Sequence, residues 1–119
     1  MSNQTVYASS PLRIRGGGGS VRVTCDTNVG QGNGGTSLPC AGCWVQPAIA
    51  NTEVVKMNIE AAASAILGVD LQRPHINDGT DEYGAAAAQP MWVPIDDVSK
   101  LYFYSADANA VIDILYLKS

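Results

Sequence analysis

Residues 111–117 alternate with period two, and no other local pattern in the chain restricts the fold as tightly. Ile112, Ile114 and Tyr116 share one face of an extended segment, and Val111, Asp113, Leu115 and Leu117 share the other. β-branched and aromatic residues dominate, and the run is too short for a good helix, so it reads as a strand. Both faces are largely apolar, which implies a strand sandwiched within the fold or half covered by a partner chain. Residues 98–104 repeat the signal, with Leu101 and Phe103 opposite Tyr102 and Tyr104. Between the two lies Ser105-Ala106-Asp107-Ala108-Asn109-Ala110, whose Asp and Asn hydrogen-bond their own backbone in turns. The arrangement predicts a hairpin. A further strand is expected over 91–95, ahead of Asp96-Asp97.

The rest of the chain is read as short pieces. Ser20–Cys25 alternates, with Val21, Val23 and Cys25 opposite Arg22 and Thr24. Residues 27–37 are a Gly/Asn/Ser/Thr loop. Cys43–Gln46 resumes as strand, with Trp44 and Gln46 opposite Cys43 and Val45. Pro47–Thr52 is a turn. Glu53–Ile59 is a strand in which Val55, Met57 and Ile59 oppose Val54, Lys56 and Asn58. Glu60–Leu67 is Ala-rich and closed by Gly68, fitting a short helix or a loop. Val69–Arg73 reads as an edge piece and 74–89 as loop. Six to eight short strands punctuated by turns predict a sandwich or barrel. Residues 1–19 stand apart as an arm with extended pieces at Val6-Tyr7 and Leu12–Arg15, hinged at Gly16–Gly19. Such an arm either reaches a neighbouring subunit or is a disordered tail.

A chain of 119 residues makes one domain able to bury a core without staples. Its net charge of -4 is uneven. Residues 1–52 hold three basic residues against one acidic, and 53–119 hold four against ten. That balance argues against nucleic-acid binding, which wants a basic face. Met1–Ser10 is polar, so no secretory leader is expected, and no apolar run approaches a membrane span. Synthesis in the cytosol makes the three cysteines thiols rather than disulfides.

Several motifs imitate chemistry. Gly30-Gln31-Gly32-Asn33-Gly34-Gly35 matches a dinucleotide-loop pattern by letter, but Thr36-Ser37-Leu38-Pro39 follows where a helix N-terminus is required. Cys40-Ala41-Gly42-Cys43 precedes a strand, whereas a redox pair sits at a helix N-terminus. Adding Cys25 and His75 draws a zinc site, yet only one spaced ligand pair is present. Structural thiols are the expectation. His75, Asp78, Asp81 and Glu82 fit a solvated loop. Trp44 and Trp92 fit either core or interface anchors or a sugar platform.

Three pieces carry a resemblance: Thr36-Ser37-Leu38-Pro39-Cys40 leading into a strand, Asn51-Thr52 leading into Glu53-Val54-Val55, and the close from Val93 through Pro94-Ile95-Asp96-Asp97-Val98-Ser99-Lys100-Leu101-Tyr102 to a last strand ending at Leu117. In this order they resemble small tailed-phage virion proteins of the capsid cement (decoration) type. The resemblance covers residues 20–60 and 90–119, and the stretch 60–89 departs from it. It implies an all-β, jelly-roll-like β-sandwich with a short extended N-terminal arm (1–19) before the sandwich domain (20–119). It further implies a non-enzymatic structural protein on the virion capsid surface, made in the host cytoplasm. The partners would be the major capsid protein and further copies of the chain, as a homotrimer, with no cofactor, metal, nucleic acid or membrane. Val6, Tyr7, Leu12, Arg13, Ile14 and Arg15 of the arm would form the interface. Two other readings stand beside it: a carbohydrate- or surface-binding β module using Trp44 or Trp92, such as a tail or fibre component, and a small zinc- or redox-active protein using Cys40 and Cys43.

Overall fold

A computed structural model describes residues 16–71 and 90–119. Eight strands run in order: β1 (Gly18–Thr24), β2 (Val29–Gln31), β3 (Gly42–Pro47), β4 (Val55–Ile59), β5 (Val69–Leu71), β6 (Met91–Val93), β7 (Leu101–Ser105) and β8 (Val111–Leu117). They pair first with last: β1 with β8, β2 with β7, β3 with β6 and β4 with β5, each antiparallel. The described residues therefore form one long two-stranded ribbon wrapped on itself. Wrapping brings β3 against β8 and β4 against β7, which closes two four-stranded sheets, β1-β8-β3-β6 and β2-β7-β4-β5. This is the strand order of a jelly roll, and the expected all-β sandwich is what the chain forms.

The core lies between the sheets and is built from alternate residues. Val23, Cys43, Val45, Val93, Ile112 and Ile114 come from the first sheet, and Val55, Met57, Leu71, Leu101 and Phe103 from the second. Gly30 marks how closely the sheets approach at one edge. A Cβ there would press on the Val23 side chain at 2.8 Å.

The three quoted segments become ties between distant parts of the chain. The Asp97 carboxylate accepts from Leu38 N, Ser37 Oγ, Ser99 N and Ser99 Oγ. It thereby caps the 3₁₀ turn Val98–Lys100 and holds the segment leading into β3. The Ser37 hydroxyl, then the Leu38 and Ser99 donors, keep its pKa well below the usual carboxylate range. Asn51, buried, donates to Val111 O and accepts from Val111 N, serving β8 as a short surrogate strand. Asp107 accepts from Thr52 N, Thr52 Oγ1 and Asn109 N, and these bonds lower its pKa.

Four expectations are corrected, and one left open is decided. The predicted β7–β8 hairpin does not form: the two strands lie in different sheets. Ser105–Ala110 instead crosses the sandwich, with Ser105 N bonded to Asn28 O and Ala110 O accepting from Cys25 N. Inward apolar faces on both strands satisfy a crossing as well as a hairpin, and β1 and β2 take the free edges. The hinge at Gly16–Gly19 is shorter than expected, because Gly18 and Gly19 pair with Leu117 and Tyr116 in β1. Gly18 serves close approach there, since a Cβ would fall on the Tyr116 carbonyl oxygen. Residues 27–37 are not all loop: they contain β2 and a 3₁₀ turn over Gly32–Gly35. Residues 98–100 are a 3₁₀ turn rather than strand, as the Asp97 cap requires. Of the two alternatives left open for Glu60–Leu67, a short helix or a loop, the chain takes the loop. Glu60 has φ 63°, and Ser64 and Leu67 exchange backbone hydrogen bonds in a turn. One short alanine-rich turn cannot offset the cost of helix nucleation.

Candidate functional site

The outward face of the β1-β8-β3-β6 sheet carries the site. Register places Ser20 beside Leu115, Leu115 beside Trp44 and Trp44 beside Trp92, one rung across four strands. The next rung is Arg22, Asp113 and Gln46. An apolar rung thus lies next to a rung of guanidinium, carboxylate and amide. Arg22 Nε donates to Asp113 Oδ1 at 2.9 Å, with Arg22 Nη2 3.5 Å from Asp113 Oδ2. That hydrogen bond and the charge behind it raise the Arg22 pKa.

The tryptophans are not equivalent. Their ring centroids are 4.6 Å apart with planes tilted by 57°. Trp92 lies against Gly42, which has φ +139°, and a Cβ on Gly42 would collide with Trp92 Cη2. Glycine is therefore what lets Trp92 lie down and brace Trp44. Trp44 also borders an open groove of about 390 Å³, together with Ser20, Gln46, Pro90, Asp113 and Leu115. Leu115, half exposed, forms part of its floor.

A second exposed feature is the β4–β5 hairpin. Val55 and Met57 face Leu71 and Val69 across it, and Ile59 and Leu67 lie beyond the last paired residues toward the connection. Burial fades along the hairpin toward the connection between its strands. Leu71, Val55 and Met57 are buried, whereas Val69, Leu67 and Ile59 are about half exposed and Ile66 at the tip is 95% exposed.

The cysteines play another part. Cys25, Cys40 and Cys43 are free and buried, and Cys40 Sγ donates to Ile95 O at 3.2 Å. Desolvation pushes Cys43 up to about 12 and Cys25 up to about 11, and raises Cys40. A thiol so held is a poor thiolate, hence a poor nucleophile. Among the described residues no cluster of three metal-ligating side chains occurs. His75, Asp78, Asp81 and Glu82 lie outside those residues, as do the arm residues Val6, Tyr7, Leu12, Arg13, Ile14 and Arg15. No helix among the described residues is long and apolar enough to cross a membrane.

Trp44 and Trp92 were legible in the sequence as core or interface anchors or as a sugar platform. Their side-by-side placement was not, because it rests on β3–β6 register. Arg22, Asp113 and Gln46 were missed as a set, although alternation already put each on the face opposite its buried neighbours. No protein-family model, curated protein or solved structure matches this chain.

Proposed function

We propose that this protein is a non-enzymatic structural protein of a phage virion, a capsid cement protein that binds the major capsid protein at the outer surface of the shell as a homotrimer. The observation that carries the reading is the apolar overhang of the β4–β5 hairpin. Ile59, Ile66, Leu67 and Val69 stand in solvent on one hairpin, and small soluble domains rarely leave such a group uncovered. A protein surface, from the shell or from a second copy, is the natural cover. Two further points support it. Among the described residues β1 lies at a sheet edge, and the arm runs directly into it, so an extended arm there can add main-chain hydrogen bonds to a neighbour. The segments that carry the resemblance to cement proteins are also the ones tied together through Asp97, Asn51 and Asp107.

The test uses purified full-length protein with an Ile66→Asp, Leu67→Asp double variant. Light scattering reads oligomeric state, and co-sedimentation with capsids lacking the protein reads docking. The wild type should be trimeric and co-sediment, and the variant, with unchanged circular dichroism, should do neither as well. A strictly monomeric wild type that ignores capsids sinks the proposal. A double variant that binds as tightly as wild type removes the hairpin from it.

A further inference from the structure

The groove beside Trp44 is a different kind of surface from the hairpin, and it lies on the other sheet. We infer that it is a binding site for an uncharged glycan, with one pyranose ring laid against Trp44 and Leu115 and its hydroxyl rim turned to Asp113 and Gln46, Asp113 being held by Arg22. A pyranose has an apolar C–H face and a polar equatorial edge, so it needs both surfaces side by side. Consecutive rungs on one face of a strand are about 7 Å apart, which is the scale of one sugar ring with its hydroxyls. Here the apolar rung Leu115–Trp44 borders the polar rung Arg22–Asp113–Gln46 at that spacing.

Charge selects among polar ligands. Arg22 and Asp113 already neutralise each other, so the groove offers no net charge to an anionic or cationic group. Donors and acceptors are nevertheless present together, as a hydroxyl requires. Size selects against a protein. A stable protein interface enlists about 20–30 residues a side, whereas this groove of about 390 Å³ is bordered by a handful, within the range of small-ligand pockets.

Preorganisation completes the case. Trp92, lying on Gly42, braces Trp44 from one side. The ring that meets the ligand is thus held in place before binding, which removes an ordering cost. Trp92 acts through Trp44 and is a positioning residue.

The experiment titrates full-length protein with neutral gluco-, manno- and galacto-configured hexasaccharides, with polygalacturonate as an anionic control. Tryptophan fluorescence and amide NMR shifts are read together. At least one neutral series should saturate, quench tryptophan emission and shift the amides of Trp44, Gln46 and Leu115. Trp44→Ala should weaken that binding about tenfold or more, Gln46→Ala should weaken it several-fold, and Ile66→Asp should leave it unchanged. If Trp44→Ala fails to fold, Trp44→Phe replaces it, retaining part of the stacking and weakening binding less than Gln46→Ala combined with Asp113→Asn. Absence of any response to the neutral series, binding of polygalacturonate alone, or neutral binding indifferent to both the Trp44 and Gln46 variants overturns the inference. Capsid docking abolished by Trp44→Ala without a glycan response also overturns it, by assigning the face to a protein contact. The hairpin reading stands or falls separately, because its variant leaves this groove intact.

Discussion

Ile114 and Leu115 are neighbours in β8 with opposite fates, and truncating each to Ala separates the two faces of one strand. Ile114 is fully buried between β1 and β3, with Val21 and Val45 as its register partners. Ile→Ala in such a position costs about 2–5 kcal/mol through lost transfer free energy and the cavity left behind. The centre of a sheet cannot collapse easily, so about 3–4 kcal/mol is expected. Leu115 is 50% exposed. Full burial of the three carbons removed would be worth about 2 kcal/mol, so about half of that, near 1 kcal/mol, is expected. With a urea slope of about 1.3 kcal/mol/M the two midpoints differ by about 2 M. Ile114→Val supplies an intermediate point at about 1 kcal/mol. Equilibrium unfolding at low micromolar concentration is the assay, so that assembly contributes little. Equal losses for Ile114→Ala and Leu115→Ala would refute the reasoning, since they would mean that the outward face of β8 is as covered as the inward one.

Other outcomes follow from single groups. Asp97 is held below its unfolded value of about 3.9, so its ionised form stabilises the fold above that pH and the contribution drains away as pH falls below about 4. Asp97→Asn should flatten the acid limb of thermal melts taken from pH 6 to 2, and an unchanged slope counts against the tie. Cys25 and Cys43 are raised from 9.0 to about 11 and about 12, so the stability they lend as neutral thiols is intact below pH 9 and is lost as pH rises from 9 toward 12. Replacing both with Ala should lessen the alkaline loss relative to wild type, and an equal loss would place it in other groups. Thr27 has φ 54° in the turn between β1 and β2, an unfavourable conformation for a β-branched residue. Thr27→Gly should therefore raise stability by about 1 kcal/mol, a few degrees in melting temperature, and a lower melting point would show that the Thr27 side chain contributes more than its strain.

The β-sandwich was visible in the sequence through the alternation of its longer strands. Period-two alternation is a property of the strand itself, so it separates Leu101 and Phe103 from Tyr102 and Tyr104, and Ile112 and Ile114 from Asp113 and Leu115, whatever the partners are; with apolar residues on both faces, the tertiary structure decided that the first set of each lies inside. The cysteines were legible as buried thiols for the same reason: Cys25 and Cys43 fall on inward positions. Loops were harder. β2 hides in a Gly-rich stretch because three residues carry too little alternation to read, and its turn uses Thr27-Asn28 rather than the usual glycine signal. Partner choice was beyond local reading altogether. Adjacent strands such as β7 and β8 carry the marks of a hairpin, yet the ribbon pairs first with last, because each strand's edges are claimed by whichever distant strand completes the enclosure of the core. The groove inherits that dependence. Alternation set Trp44 and Gln46 opposite Cys43 and Val45, Arg22 opposite Val21 and Val23, and Asp113 opposite Ile112 and Ile114, but only long-range register set the apolar rung beside the polar one, and register is decided by contacts between residues far apart in the chain.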